Sequence, residues 1–301
     1  MNIHLENVNL DSTSGPNSFG QKLVKYISKK NFTEFEASDI RLCFIEGRRK
    51  KCTKPLVQRL DGIYFNTRQN YKLQNANIKK TYEEADGIIF QSQFSKNLVT
   101  SWFGKHDHHT IIHNGADIKK IRSIKPLKNK VLDKFENVWS CASHWRPHKR
   151  LPENIRYFLE HSGDNDCLVV AGHIDEKVNN DRIFYTGNLR HESLISLYKR
   201  SKNFIHLGRF DNCPNVVVDA RASACSIICT DLGGTVEIAG PEAIVIAEDE
   251  WDYKALDLYD PPNLDFTKKQ KNIWDIDINM EKVAEKYVTM LEGVLEKTCT
   301  L

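Results

Sequence analysis

Short apolar runs recur along the chain, each followed by a turn and then a stretch with helical spacing, which is the pattern of parallel sheets covered by helices. The runs at residues 3–8, 87–90, 110–112, 138–142, 167–171, 204–207, 226–229 and 243–246 predict strands. After the first, SGPNSFGQKLVKYISKK places Leu23, Val24 and Ile27 at helical spacing and predicts a helix. A polar turn after the run at 204–207 leads into a second predicted helix at 216–224. Residues 278–297 set Ala284, Tyr287, Val288, Leu291, Val294 and Leu295 on one face, an amphipathic helix that must dock on a core. Between two strand-rich blocks, KKIRSIKPLKNKVLDKF is basic, contains Pro126 and has weak periodicity, so it reads as a linker between domains.

At 301 residues the chain is long enough for two α/β domains, each with its own core. No apolar run approaches membrane-spanning length, and MNIHLENVNL lacks the features of a signal peptide, so the expected location is the cytoplasm. The eight cysteines contain no CxxC pair and are expected as reduced thiols. His106, His108 and His109 lack metal-site spacing and predict a solvated turn, and no metal site is expected. A net charge of +3 is too small to argue for nucleic acid. It hides a basic first half, to which Arg48, Arg49, Lys50, Lys51, Lys54 and Arg59 contribute. That run is either a solvated loop or a contact for an anionic acceptor or lipid surface. GxGxxG is absent after the first strand and GxxxxGK[ST] is absent throughout, which removes the dinucleotide and P-loop readings. Gly15, Pro16 and Asn17 follow the first strand and open a helix whose amides can face an anion, although a plain strand-to-helix turn has the same composition.

Between Val138 and Gly240 the segments CASHWRPHKR, YTGNLRHESLISLYKRSKNFIHLG, DNCPNVVVDARASACSIICTD and DLGGTVEIAG follow one another, and in that order they resemble the nucleotide-sugar-binding domain of retaining glycosyltransferases of family 4. CASHWRPHKR falls where that family has a strand and a basic loop for the donor diphosphate. YTGNLRHESLISLYKRSKNFIHLG is similar to its F-x-G element with the following helix and strand, and DLGGTVEIAG to its later glycine turn. DNCPNVVVDARASACSIICTD resembles its E-x7-E segment, with Asp211 and Asp219 in the acid positions. If Asp211 ends a loop after a strand and Asp219 lies in the helix beginning near Asn215, both carboxylates can reach one ligand across the strand ends. Each accepts hydroxyl hydrogen bonds, as a ribose or hexose requires. SGPNSFGQKLVKYI, ADGIIFQSQFSKNLV and IIHNGAD carry a fainter likeness in the first half.

The resemblance implies an α/β chain of GT-B architecture, two facing Rossmann-like domains with parallel sheets and a C-terminal helix crossing back. Its expected parts are an acceptor-side domain at 1–120, a linker at 121–135, a nucleotide-sugar domain at 136–275 and a helix at 276–301 packing across both. It implies metal-independent transfer of a hexosyl group from a nucleotide diphosphate sugar to a hydroxyl, with retention of configuration and no cofactor. Asp211 would contact the sugar and Asp219 the ribose, while Lys149 and Arg146 face the diphosphate with His144 as a further basic-loop candidate. The amides at Asn215 and Val216 would point at the phosphates. Gly187, Asn188 and Leu189 would lie near the base, with a slight lean to uridine. Asp61, where many members have a nearby histidine, would orient the acceptor or cap a turn with Gly62. The expected partners are the sugar donor and a glycan or glycolipid acceptor, with peripheral membrane contact through the basic first domain also open. Both family glutamates are aspartates here, one methylene shorter, and Ser223, Ala224, Cys225 and Ser226 replace a glycine- and proline-containing run. Those departures keep open an epimerase or phosphorylase on the same fold, or an inactive nucleotide or sugar binder.

Overall fold

The computed structural model describes residues 1–12, 14–47 and 53–299, so the basic run at Arg48, Arg49, Lys50 and Lys51 lies outside the described residues. The chain forms two compact units, one of residues 1–115, 252–256 and 277–301, the other of residues 116–251 and 257–276.

The first unit is built from β1 (Ile3–Glu6), α1 (Gly15–Ile27), β2 (Ile40–Phe44), β3 (Leu56–Leu60), α2 (Tyr71–Glu84), β4 (Gly87–Phe90), α3 (Gln93–Phe103) and β5 (His109–Ile111). These strands are all parallel and run in sequential order. β1 stops two residues short of its predicted end, because Asn7 turns to φ 58° and donates its Nδ2 to Phe44 O at 2.8 Å. The apolar pattern did not reveal β2 or β3, since each carries charged or polar residues in its middle. Arg41 of β2 is buried but pairs with Glu6 at 2.8 Å. Gln58 of β3 donates to Ile45 O at 2.6 Å and Ile78 O at 3.1 Å, which satisfies its amide nitrogen inside the core.

The second unit runs through α4 (Ile118–Ser123), β6 (Asn137–Ala142), α5 (Leu151–His161), β7 (Asp166–Ala171), β8 (Ile183–Gly187), α6 (His191–Arg200), β9 (Asn203–His206), α7 (Asn215–Ala222), β10 (Ser226–Thr230), α8 (Thr235–Ile238), β11 (Ile244–Ile246) and β12 (Lys269–Lys271). The strand order is β12-β11-β10-β9-β6-β7-β8, parallel except for β12. β6 and β9 are neighbours, but the chain moves from β6 toward β7 and from β9 toward β10, on opposite sides. Their following loops therefore part and leave a crevice at the carboxyl ends, the place where open α/β sheets bind ligands.

The basic stretch expected as a linker is part of this unit. Ile121 and Leu132 are buried, Leu132 within the cluster of Val138, Cys167, Val169 and Leu197. Lys199 Nζ donates to the carbonyls of Ile121 and Ile124 at 3.0 and 2.5 Å. The segment 252–256, expected in the second domain, is stitched to the first unit instead: Leu256 N donates to Phe65 O at 3.1 Å and Thr67 N to Leu256 O at 2.9 Å.

The last helix, α9 (Met280–Cys299), returns to the first unit. Val283, Tyr287, Leu291 and Val294 recur at helical spacing and share a core with Phe19 and Leu23 of α1 and Val57 of β3. Gly87 makes this approach possible, because a Cβ there would lie 2.6 Å from Met290 Cε and 2.9 Å from Val294 Cγ2. A helix laid across both domains was expected; its apolar stripe is instead consumed by one core. No described helix is long and apolar enough to cross a membrane.

Leu291 is fully buried, so Leu291→Ala should lower unfolding stability by about 2–5 kcal/mol. Exposed Glu292→Ala should change it by less than about 0.5 kcal/mol. Urea unfolding of both variants checks the docking of α9.

Candidate active site

In the second unit the loop after β6 carries Ser143 to Arg150, with a single 3-10 turn at Pro147–Lys149 before α5 begins. Arg150 ends that turn in the left-handed region, φ 53°, with its guanidinium fully buried. It makes two hydrogen bonds to Glu248, at 2.9 and 2.7 Å, and a third to Pro262 O at 3.1 Å. The bidentate pair commits both terminal nitrogens, so Arg150 anchors the loop rather than offering free charge. His144 and Arg146 are on the same loop, and both are exposed.

Lys149 Nζ pairs with Asp211 Oδ1, and His206 Nε2 lies 2.7 Å from Asp211 Oδ2. The Asp211 side chain is 16% exposed and that of His206 4%. Burial alone would raise the Asp211 carboxyl, but the Lys149 charge and the His206 and Lys149 hydrogen bonds outweigh it and hold it well below the usual carboxylate range. An ionised carboxylate thus sits where the β6 and β9 loops part.

Backbone contacts fix those loops to each other. Arg209 N donates to His148 O at 2.8 Å. Asn154, on α5, donates its Nδ2 to Arg150 O at 2.6 Å and accepts from Leu207 N at 3.3 Å. Phe210 adopts φ 62° just before Asp211. The glycine turn after β10 then grips the Asp211 main chain: Gly234 N donates to Asp211 O at 2.7 Å, and a Cβ on Gly233 would stand 2.9 Å from that oxygen.

Asp219 lies in the second turn of α7, which starts at Asn215 directly after Pro214. Its side chain is 8% exposed, with Oδ2 3.0 Å from Nε2 of the half-exposed His191. Asn215 and Val216 form the first turn of the same helix. Gly187, φ 67°, ends β8 and accepts from Gly172 N at 2.8 Å; Asn188 is on the turn that follows, and Leu189 packs on the Val138 cluster. The structure therefore places Lys149 and Asp211 in direct contact. It adds His206, His191, Asn154 and Glu248, none of which the motif reading singled out. The available signal for His206 was a histidine inside the apolar run FIHL.

In the first unit, Gly15, Pro16 and Asn17 form the opening of α1, with Asn17 Oδ1 accepting from Asn9 N at 2.9 Å. Asp61 pairs with Arg59, whose guanidinium lies over the rings of both Phe19 and Phe44, 4.3 and 4.6 Å from their centroids. Tyr287 Oη and Asn114 Oδ1 each accept from Arg59 at 2.9 Å. A buried arginine thus has a partner at each end of its fork, and Asp61 is one of them. His106, His108 and His109 turn their rings to backbone carbonyls at 2.6–3.0 Å and staple the turn before β5. Among the described residues no group of three His, Cys, Asp or Glu side chains is arranged to hold a metal ion. Cys43, Cys141, Cys167, Cys213, Cys225 and Cys229 are buried free thiols.

Comparison with known proteins gives this geometry a context. Residues 133–257, which include the whole Lys149–Asp211–Asp219 region, match the family model of group 1 glycosyl transferases. A viral protein, ORF31 of the isolate Australia/Victoria, named as a glycosyltransferase, is 21% identical over 309 residues, covering 93% of this chain and 95% of its own. Anabaena Alr3699/HepE, solved in complex with UDP, superposes with a TM-score of 0.63 at 12% identity over 100% of both chains. Sucrose-phosphate synthase from Thermosynechococcus elongatus gives 0.61 at 11% identity, over 100% of this chain and 98% of its own. The structural likenesses show the α/β fold with parallel sheets of GT-B glycosyltransferases, and the family match with the viral relative supports a glycosyltransferase.

His148 supplies a test of this loop's packing. Its ring is buried and stacks on Tyr259 at 6.0 Å. Burial, followed by the adjacent Lys149 charge, pushes its imidazole down to about 4 from 6.5. The unfolded chain therefore binds a proton near pH 6.5 that the folded chain refuses until about pH 4. Stability is complete above the upper value and falls as pH drops through that window. In His148→Gln the decline in urea midpoint between those pH values should be shallower than in the unaltered protein; equal slopes would place the imidazole in a wetter setting.

Proposed function

We propose that the protein transfers a hexosyl group from a nucleotide diphosphate sugar to a hydroxyl of a glycan or glycolipid, with retention of configuration and without a metal ion. The observation that carries this reading is the ionised Asp211 held between Lys149 and His206 at the parting of the β6 and β9 loops, inside the segment that matches group 1 glycosyl transferases. A crevice at a switch point takes a nucleotide-bearing ligand readily. The carboxylate there accepts from sugar hydroxyls.

In this reading Asp211 contacts the donor sugar and Asp219 the ribose. Breaking the anomeric C–O bond builds positive charge on the sugar and negative charge on the leaving diphosphate. Lys149, on its flexible stem, and the exposed Arg146 stabilise the latter, together with the amides at Asn215 and Val216 that open α7. Those protein cations take the part a divalent metal plays elsewhere. Asn188 and the Gly187 turn stand by the base, and the complexes of Alr3699/HepE with UDP and with UDP-glucose favour uridine. In the first unit, Asp61 serves the acceptor hydroxyl, and Gly15, Pro16 and Asn17 open a helix whose amides can face an anion.

Thermal unfolding with UDP, GDP, CMP and dTDP tests the donor class. Ligand at 100 times its Kd adds about 2.7 kcal/mol of stability, visible as a rise in Tm. A rise with one base alone, lost in Asp219→Ala, is the expected result; no rise with any nucleotide would remove the donor-site reading. With a donor in hand, Lys149→Ala, which leaves Asp211 held by His206, should lower turnover by about 10² or more. Unchanged turnover would take Lys149 out of the site.

A further inference from the structure

We infer that His206 is a positioning residue for the donor sugar: through Nε2 it holds Asp211 Oδ2, so that the carboxylate keeps one orientation whether or not Lys149 is bound to it. The inference rests on the donor-site reading above and names a residue that the motif likeness does not include. His206 is the last residue of β9, 4% exposed, with its ring parallel to that of Phe204 two positions earlier. It is therefore fixed by strand and packing, unlike the four-carbon stem of Lys149. Its 2.7 Å contact to Asp211 requires the hydrogen on Nε2, because an ionised carboxylate only accepts.

Gly208 closes the third side. A Cβ there would lie 2.9 Å from Asp211 Oδ2, 3.2 Å from His206 Nε2 and 3.4 Å from Lys149 Cδ, so the glycine main chain is packed on all three groups. Asp211 itself sits on a loop, behind a residue with φ 62°. Each of its oxygens carries two lone pairs; Lys149 takes one on Oδ1 and His206 one on Oδ2, leaving the others for hydroxyls. When a diphosphate draws the Lys149 ammonium away, the histidine is the partner that stays. The effect should therefore fall on recognition of the sugar and spare the nucleotide.

The test compares Kd for UDP and for UDP-glucose, by titration calorimetry, in the unaltered protein, His206→Gln, His206→Asn and His206→Leu. Glutamine carries an amide N–H at about the reach of Nε2, whereas asparagine falls short. Affinity for UDP should stay within about twofold in all three variants. The preference for UDP-glucose over UDP should drop about tenfold in the Leu and Asn variants and return in the Gln variant. A preference that survives in His206→Leu, or one that glutamine fails to restore, overturns the role. Equal weakening of both ligands marks a structural residue and overturns it too. Should the leucine variant fail to fold, the glutamine and asparagine pair still decides the matter. If the unaltered protein binds none of UDP, GDP, CMP and dTDP, that is a different result, which removes the donor-site reading itself.

Discussion

An ionised carboxylate set among strand ends, with 16% of its side chain exposed, has to be held by charge and hydrogen bonds, and that requirement organises the second unit. Asp211 meets it with Lys149 on one oxygen and His206 on the other, drawn from the loop after β6 and the end of β9. Those strands are neighbours whose connections depart in opposite directions, so the sheet topology itself brings the two loops side by side. Asn154, the Arg209 to His148 backbone bond and the Gly233–Gly234 turn then remove the freedom that such loops would otherwise keep. One partner of the carboxylate is thus a histidine fixed at a strand end and the other a lysine on a flexible four-carbon stem.

Buried ions recur as framework elsewhere in the chain. Arg150 with Glu248, Arg41 with Glu6 and Arg59 with Asp61 each place a guanidinium in a protein interior with its fork occupied. Desolvation makes such pairs costly, so they contribute geometry more than stability. Arg59 shows the consequence: packed against two phenylalanines and bonded to Tyr287, it joins β3 to α9 inside the first unit's core. Of the charges that a sequence scan would assign to a surface, several are thus spent inside.

This is also why some elements were legible in the sequence and others were not. β6, β7, β9 and β10 are nearly unbroken apolar runs and were readable to within a residue or two. β2 and β3 escaped because Arg41, Gln58 and Arg59 break their apolar signal while being buried by partners far away in the chain. The likeness to family 4 glycosyltransferases pointed to Lys149, Asp211 and Asp219 and to the helix that carries Asp219. It did not reveal His206, since a single histidine in FIHL has no periodicity to betray which way it faces. Arg150 follows Lys149 in the same basic loop, and only the position of Glu248, 98 residues on, commits it to the framework.

Local patterning alone determined that the chain alternates strands and helices, that it holds two sheet-forming blocks, and that an amphipathic helix closes it, because periodicity and turn chemistry act over a few residues. Tertiary structure decided which core takes that helix, where the units divide, and which of several cations is spent on a carboxylate. α9 goes to the first unit because its apolar stripe shares a core there with Phe19, Leu23 and Val57, Gly87 leaving room for Met290 and Val294. The basic stretch at 121–135 joins the second unit because Lys199 caps its carbonyls and Leu132 finds a pocket. Each of those outcomes depends on contacts between residues distant in sequence, whose free energies exist only once the sheets have formed.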